Sequence, residues 1–249
     1  MSIGRAERKG RVLGIDGCPG GWLIVGRDAS GYSLEVLNAE EQLKQRVSNA
    51  VLSLIDIPIG LPAAHSPRRC DTILRERLGS NYANSVFSVP VRNAVYAQSY
   101  EEACRINQEI TGKKISLQLW NIAPRIRQVD SMLVQTPSLR ESVKECHPEW
   151  LLKLLNNNKP IPAKKTTREG QYRRKELLRS QGIPVDRLQD RLYEKYYKKQ
   201  AKPDDLLDAL VLNHSAWRVV FDGNKLHALP AELETDEQGL PMAIFYAEP

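Results

Sequence analysis

Val12-Leu13-Gly14-Ile15-Asp16-Gly17-Cys18-Pro19-Gly20-Gly21-Trp22-Leu23-Ile24-Val25-Gly26-Arg27 holds two short apolar runs joined by a turn rich in Gly and Pro. Aliphatic runs favour extended backbone and the Gly-Pro cluster interrupts it, so residues 11–16 and 21–27 are expected as strands. Working outward, Ala29-Ser30-Gly31 is a second tight connection, and residues 31–37 complete an antiparallel meander. Glu40 to Asn49 reads as a short helix. Val51 to Asp56 follows as a strand too uniformly apolar to face water on either side, as buried parallel strands are.

Strand, strand, strand, helix, strand is the opening order of the ribonuclease H fold. The expected class is therefore α/β: a ribonuclease H-like mixed sheet, a three-strand antiparallel meander plus parallel strands, flanked by helices. Pro58 and Pro62 end the fourth strand, and a helical insertion is expected over about 63–136, with helices near 68–79, 100–111 and 116–134 and a loop at 85–92. A short strand at 143–147 precedes helices near 149–156, 168–181, 186–199 and 203–220, and two short edge strands are expected in 226–247, around Gln238-Gly239. One domain over 1–249 is expected, because the linker-like piece, Asn156 to Pro162, is short enough to be a surface loop.

The composition, 41% hydrophobic and 27% charged, is that of a globule with a sizeable core. No apolar run approaches the ~20 residues a membrane helix needs, and residues 1–9 lack the apolar core of a signal peptide, so a cytoplasmic location is expected. Cys18, Cys70, Cys104 and Cys146 are far apart and form no CxxC pair, which fits reduced thiols and argues against zinc. The net charge of +6 favours a polyanionic partner.

Five acids carry the chemistry. Asp16, Asp56 and Glu145 lie at the ends of apolar strands, and Asp205 and Asp208 share one turn of a helix. Two like charges ~4 Å apart at an effective dielectric of ~20 repel by about 4 kcal/mol, so acids gathered on one edge point to a cation. Hard oxygen donors favour Mg²⁺ or Mn²⁺. Asp204 reads as the cap of the last long helix. Strand alternation sets Gly14 beside Asp16, leaving room next to the acid, and projects Glu145 and His147 to one side with Cys146 on the other. Cations cluster in 159–202, including Lys164, Lys165, Arg173 and Arg174, interleaved with tyrosines, and read as a substrate track beside those acids. Arg68, Arg69, Arg75 and Arg92 of the insertion either hold phosphates or pair with acids such as Asp71 and Glu76. Walker A, GxGxxG and Gly-x-Ser-x-Gly patterns are absent.

Gly14-Ile15-Asp16-Gly17-Cys18, Asp56-Ile57-Pro58-Ile59-Gly60-Leu61-Pro62, Arg69-Cys70-Asp71 with Arg75, Leu78-Gly79, Ser85-Val86-Phe87 with Pro90 and Arg92, Glu145 with His147-Pro148-Glu149, and Asp204-Asp205 with Asp208-Ala209 resemble, in order, the DUF429 family of predicted ribonuclease H-like nucleases. The resemblance runs from about 12 to 217. It implies a core in which Asp16, Asp56 and Asp205 or Asp208 hold divalent metal, with Glu145 as an extra acid. The function expected is a metal-dependent nuclease hydrolysing phosphodiester bonds of RNA, DNA or a hybrid, with Lys and Arg of the insertion and of 164–179 neutralising the backbone. The alternatives are an ATP-dependent phosphotransferase of the actin and sugar-kinase group, which shares this core, and a non-catalytic nucleic-acid-binding protein.

Overall fold

The computed structural model describes residues 10–63, 68–80, 82–197 and 199–248. The readings of residues 1–9 and of Lys198 in the basic run fall outside them. Three strands form the meander, β1 (Val12–Cys18), β2 (Gly21–Asp28) and β3 (Gly31–Leu37), and α1 (Glu40–Ser48) leads to β4 (Leu52–Ile55). Then come α2 (Arg69–Leu78), α3 (Arg92–Val95), α4 (Tyr100–Thr111) and α5 (Leu117–Gln135), followed by β5 (Val143–Glu145). The chain continues through α6 (Pro148–Leu155), α7 (Arg168–Ser180), α8 (Val185–Lys195) and α9 (Pro203–Val220). It ends in β6 (Leu226–Leu229) and β7 (Ile244–Ala247).

The main sheet runs β3-β2-β1-β4-β5, with β1–β2 and β2–β3 antiparallel and β1–β4 and β4–β5 parallel. This is an α/β mixed sheet of the expected ribonuclease H-like arrangement. The final strands do not edge it: β6 and β7 pair with each other in a separate two-stranded sheet, and Thr235 and Pro241 bridge across the Gln238-Gly239 turn. The segment read as a loop at 85–92 runs at its end into α3, whose four residues are too few to show a helical period. Among the described residues no helix is long and apolar enough to cross a membrane.

Strand alternation divides the core in two. Val12, Leu52 and Leu54 face one side, where α2, α6, α7, α8 and α9 pack; Leu13, Ile15, Ile55 and Val143 face the other, against α1 and α5. The insertion therefore supplies cover to both faces and shares the sheet's core.

Gly14 decides how close α9 comes. A β-carbon there would lie 2.1 Å from the carbonyl oxygen of Ala209 and 2.3 Å from the amide nitrogen of Asn213, both backbone atoms that cannot swing away. The space the sequence leaves beside Asp16 is thus filled by a helix backbone. Asn213 seals the contact by donating from Nδ2 to the carbonyls of Val12 and Val25, each at 3.0 Å. Gly14→Ala is expected to destabilise the protein by about 3 kcal/mol or more, beyond ordinary overpacking, because the obstacle is main chain. Urea unfolding measures it; a loss under ~1 kcal/mol would show that α9 can retreat freely.

Candidate functional site

The parallel register sets the acids side by side. Ile15 is level with Ile55, and the Asp56 amide donates to the Ile15 carbonyl at 2.9 Å, so Asp16 and Asp56 stand side by side where the β1–β4 pairing ends, on the face covered by α9; β1 itself runs on to Cys18, past the end expected at Asp16. The close seat of α9 at Gly14 brings Asp208, 1% exposed, to that edge, with Asp205 one turn earlier. Burial, then the charges of Asp208 and Asp56, push the Asp16 carboxyl well above the ordinary carboxylate range, against the pull of Lys165. Burial likewise lifts Asp56 to about 7, with Lys165 opposing and Asp208 adding. Asp205 rises to about 6 through burial, offset by its bond from the Lys202 amide.

Lys165 meets this charge. Its Nζ donates to Asp208 Oδ2 at 2.6 Å, and Asp208 holds the ammonium protonated well above its usual range. The loop that carries it is tied down. Thr167 caps α7 by accepting from the Gly170 amide at 3.1 Å, and Gly170 lets the Lys164 carbonyl approach where a β-carbon would sit 1.9 Å away. Arg174 adds a bond from Nη1 to the Ala163 carbonyl at 2.9 Å.

The other expected site residues are held by partners of their own. Glu145 lines the same cavity as Asp16, Asp56 and Asp208, but its Oε2 is engaged, accepting from Arg68 Nη2 at 2.6 Å and from the Ile59 amide at 2.7 Å; burial lifts its carboxyl to about 8, against the pull of Arg68. Arg68 is itself 1% exposed; burial works against its charge, but Asp71 and Glu145 outweigh that and hold it protonated. The strand ends at Glu145, so His147 does not continue the alternation and instead stands at the N-cap of α6. Asp205, not Asp204, closes the start of α9, accepting from the Lys202 amide at 2.8 Å.

Most cations assigned to substrate are engaged within the fold. Arg174 is wholly buried and pairs with Glu149 at 2.6 Å. Arg92 pairs with Asp130 and Asp236. Arg75 donates to the Val86 carbonyl and Ser88 Oγ, each at 3.0 Å. Arg69 with Glu234 and Arg173 with Glu169 are exposed pairs, at 2.8 and 2.7 Å, of the kind worth ~0–1 kcal/mol and easily exchanged for another anion. Lys164 stays exposed at the rim of the site.

Beside the acids opens a cavity of about 630 Å³. Asp16, Asp56 and Asp208 lie at one part of its wall, and Val86, Phe87, Val89 and Ile122 give it an apolar side. Gln118, Ile122 and Arg125 reach it from one face of α5 at spacings of four and three. Sequence reading did not single them out, because that spacing belongs equally to any amphipathic helix. Arg125 spans the β1–β2 turn, donating to the carbonyls of Cys18 and Gly21.

Among the described residues no group of three His, Cys, Asp or Glu side chains stands ready to hold a metal ion, and Lys165 supplies the positive charge. The donors nevertheless suit one. Asp16, Asp56 and Asp208 offer hard carboxylate oxygens, and buried Asp208 Oδ1 has no hydrogen-bond partner among the described residues. A divalent cation would compete with Lys165 for Asp208.

No significant match exists among curated proteins or solved structures. The family described as "Protein of unknown function (DUF429)" matches residues 14–235, a span that includes β1 from Gly14 onward, β4, α9, the Lys165 loop and Asp16, Asp56 and Asp208 of the cavity. The chain belongs to the DUF429 family.

Proposed function

We propose that the protein is a divalent-metal-dependent hydrolase of phosphodiester bonds in nucleic acid, working with Mg²⁺ or Mn²⁺ in the cytoplasm. The observation that carries the reading is the convergence of Asp16, Asp56 and Asp208 on one wall of a cavity, buried, mutually repelling and already countered by a cation. Such a cluster costs stability in a protein that needs it only as a scaffold, and is retained at low cost where a cation is bound. Bound there, the cation supplies Lewis-acid polarisation of a phosphoryl oxygen and an activated water.

The chain's own part is to hold and to shield. Asp16 and Asp56, fixed by β1 and β4, and Asp208, fixed by α9, are the ligand set; Asp205 contributes charge from the next turn while its Oδ2 stays with the Lys202 amide. Lys165, once exchanged from Asp208, is left as an ammonium beside the reacting phosphate, with Lys164 at the rim. Four free, buried cysteines among the described residues agree with a reducing compartment.

Purified protein incubated with labelled oligonucleotides in Mg²⁺, Mn²⁺ or chelator tests the reading. Cleavage should require metal. Metal-independent cleavage, or none on single-stranded, duplex, hybrid and junction substrates alike, contradicts it.

A further inference from the structure

The cavity raises the question of what form the nucleic acid takes when it reaches the acids. Its volume of about 630 Å³ equals a cube about 9 Å on edge and falls within the ~300–1,000 Å³ of pockets that enclose a small organic ligand. A base still stacked and paired within a duplex cannot occupy it without being turned out of the helix. The arrangement of charge agrees. Arg92 and Arg174 are held in ion pairs inside the fold, which removes two of the cations expected to meet a duplex backbone.

The wall has the character of a base receptor. Phe87 and Ile122 bound it with apolar surface, and stacking on such a surface tolerates any base. His147 adds a polar group. Its Nε2 lies 3.4 Å from the Ser85 carbonyl oxygen, which can only accept, so the ring proton sits on Nε2 and Nδ1 carries the lone pair. That Nδ1 is buried without a hydrogen-bond partner among the described residues. An unmet buried acceptor is costly, and His147 is among the residues that line the cavity.

We infer that the cavity receives one unpaired nucleotide unit, its base against Phe87 and Ile122 and its phosphate toward Asp16, Asp56 and Asp208, so that the substrate is a single strand or a strand end rather than a paired duplex. The inference rests on the proposed phosphodiester hydrolysis for the direction in which the phosphate points.

The test pairs binding with turnover on the full chain. Adenosine 5′-monophosphate and a 5′-phosphorylated single-stranded decanucleotide are titrated calorimetrically in Ca²⁺. Cleavage of that strand and of its blunt duplex is followed in Mn²⁺. Both probes should bind. The single strand should be cleaved at least about tenfold faster than the duplex, because a paired base must first be unstacked. Phe87→Ala should weaken nucleotide binding about tenfold, and Ile122→Trp, which fills the cavity, should do at least as much, with melting temperatures recorded for both. Tight mononucleotide binding by the parent but not by a folded Ile122→Trp, with no cleavage of any substrate, supports the cavity assignment while sinking the hydrolase reading. Equal cleavage of duplex and single strand, or nucleotide affinity unchanged in both folded variants, overturns the inference, as does failure of both probes to bind the parent.

Discussion

Asp16→Asn and Asp208→Asn are each expected to reduce metal-dependent cleavage at least ~100-fold while leaving the fold intact. The isosteric amide keeps the shape of the side chain but removes a charge from the ligand set, and a displaced cation fails in a reaction that depends on its position. The two substitutions probe different elements. Asp16 is delivered by β1, Asp208 by α9, and only the close seat at Gly14 brings them together. Asp208→Asn also removes the partner of Lys165, so its effect is expected to be at least as large as that of Asp16→Asn. Glu145→Gln provides the contrast. Its carboxylate lines the same cavity but is engaged by Arg68 and the Ile59 amide, so the expected loss is chiefly of stability, about 3–5 kcal/mol for a broken buried pair. Cleavage assays at saturating metal, with circular dichroism spectra of each variant, check all three.

The second large effect is on stability, and its sign follows from the titrations. Asp56 has a folded pKa of about 7 against 3.8 for the ordinary group, so the folded state holds the extra proton across that window. Its contribution is fully present below about 4 and is lost as pH rises through about 7; Asp16, also raised, acts in the same direction. Two histidines run the other way. His147 is lowered, and His214 falls to about 4, both chiefly by burial, so their neutral forms gain stability as pH rises toward 6.5. The parent's melting curve mixes these trends, and the Asp56→Asn variant separates them. Without metal it should melt close to the parent at pH 5 and several degrees above it at pH 8, where the parent carries the repelling charge. Metal reverses the order. At ~100 times its dissociation constant, Mg²⁺ or Mn²⁺ contributes about 2.7 kcal/mol, or about 5–10 °C for a chain of this size, and Asp56→Asn should lose most of that rise. A variant strongly destabilised in chelator at pH 8 that still gains the full metal shift would mark Asp56 as a structural cap.

How much of this could be read from residues alone depended on the range of the interactions. The strands of the meander and the long helices α4, α5 and α9 follow from periodicity and turn residues, which act over a few positions. That Asp16 and Asp56 belong to neighbouring strands was legible for the same reason, although β1 continues past Asp16 to Cys18 through its pairing with β2. Pairings across long separations were not. Arg68, expected to pair with a nearby acid such as Asp71, also meets Glu145 across 77 positions, and Lys165 reaches Asp208 across 43, and nothing local marks those distant acids. Arg174 illustrates the cost. In sequence it is one more cation in a basic run, yet in the fold it is buried against Glu149 and anchors the loop that presents Lys165. The cap of α9 failed for a finer reason: Asp204 and Asp205 are neighbours of equal propensity, and the direction in which the chain enters the helix selects Asp205.

All of these expectations descend from one claim, that the acids of β1, β4 and α9 form a site for a divalent cation in which Lys165 stands in until the ion arrives. Diffraction from crystals grown with Mn²⁺, collected above its absorption edge, tests the claim without recourse to any substrate. The account predicts an anomalous peak within about 2.5 Å of carboxylate oxygens of Asp16, Asp56 and Asp208, with the Lys165 ammonium moved away from Asp208. Crystals in which no such peak is present and Lys165 still donates to Asp208 would contradict it.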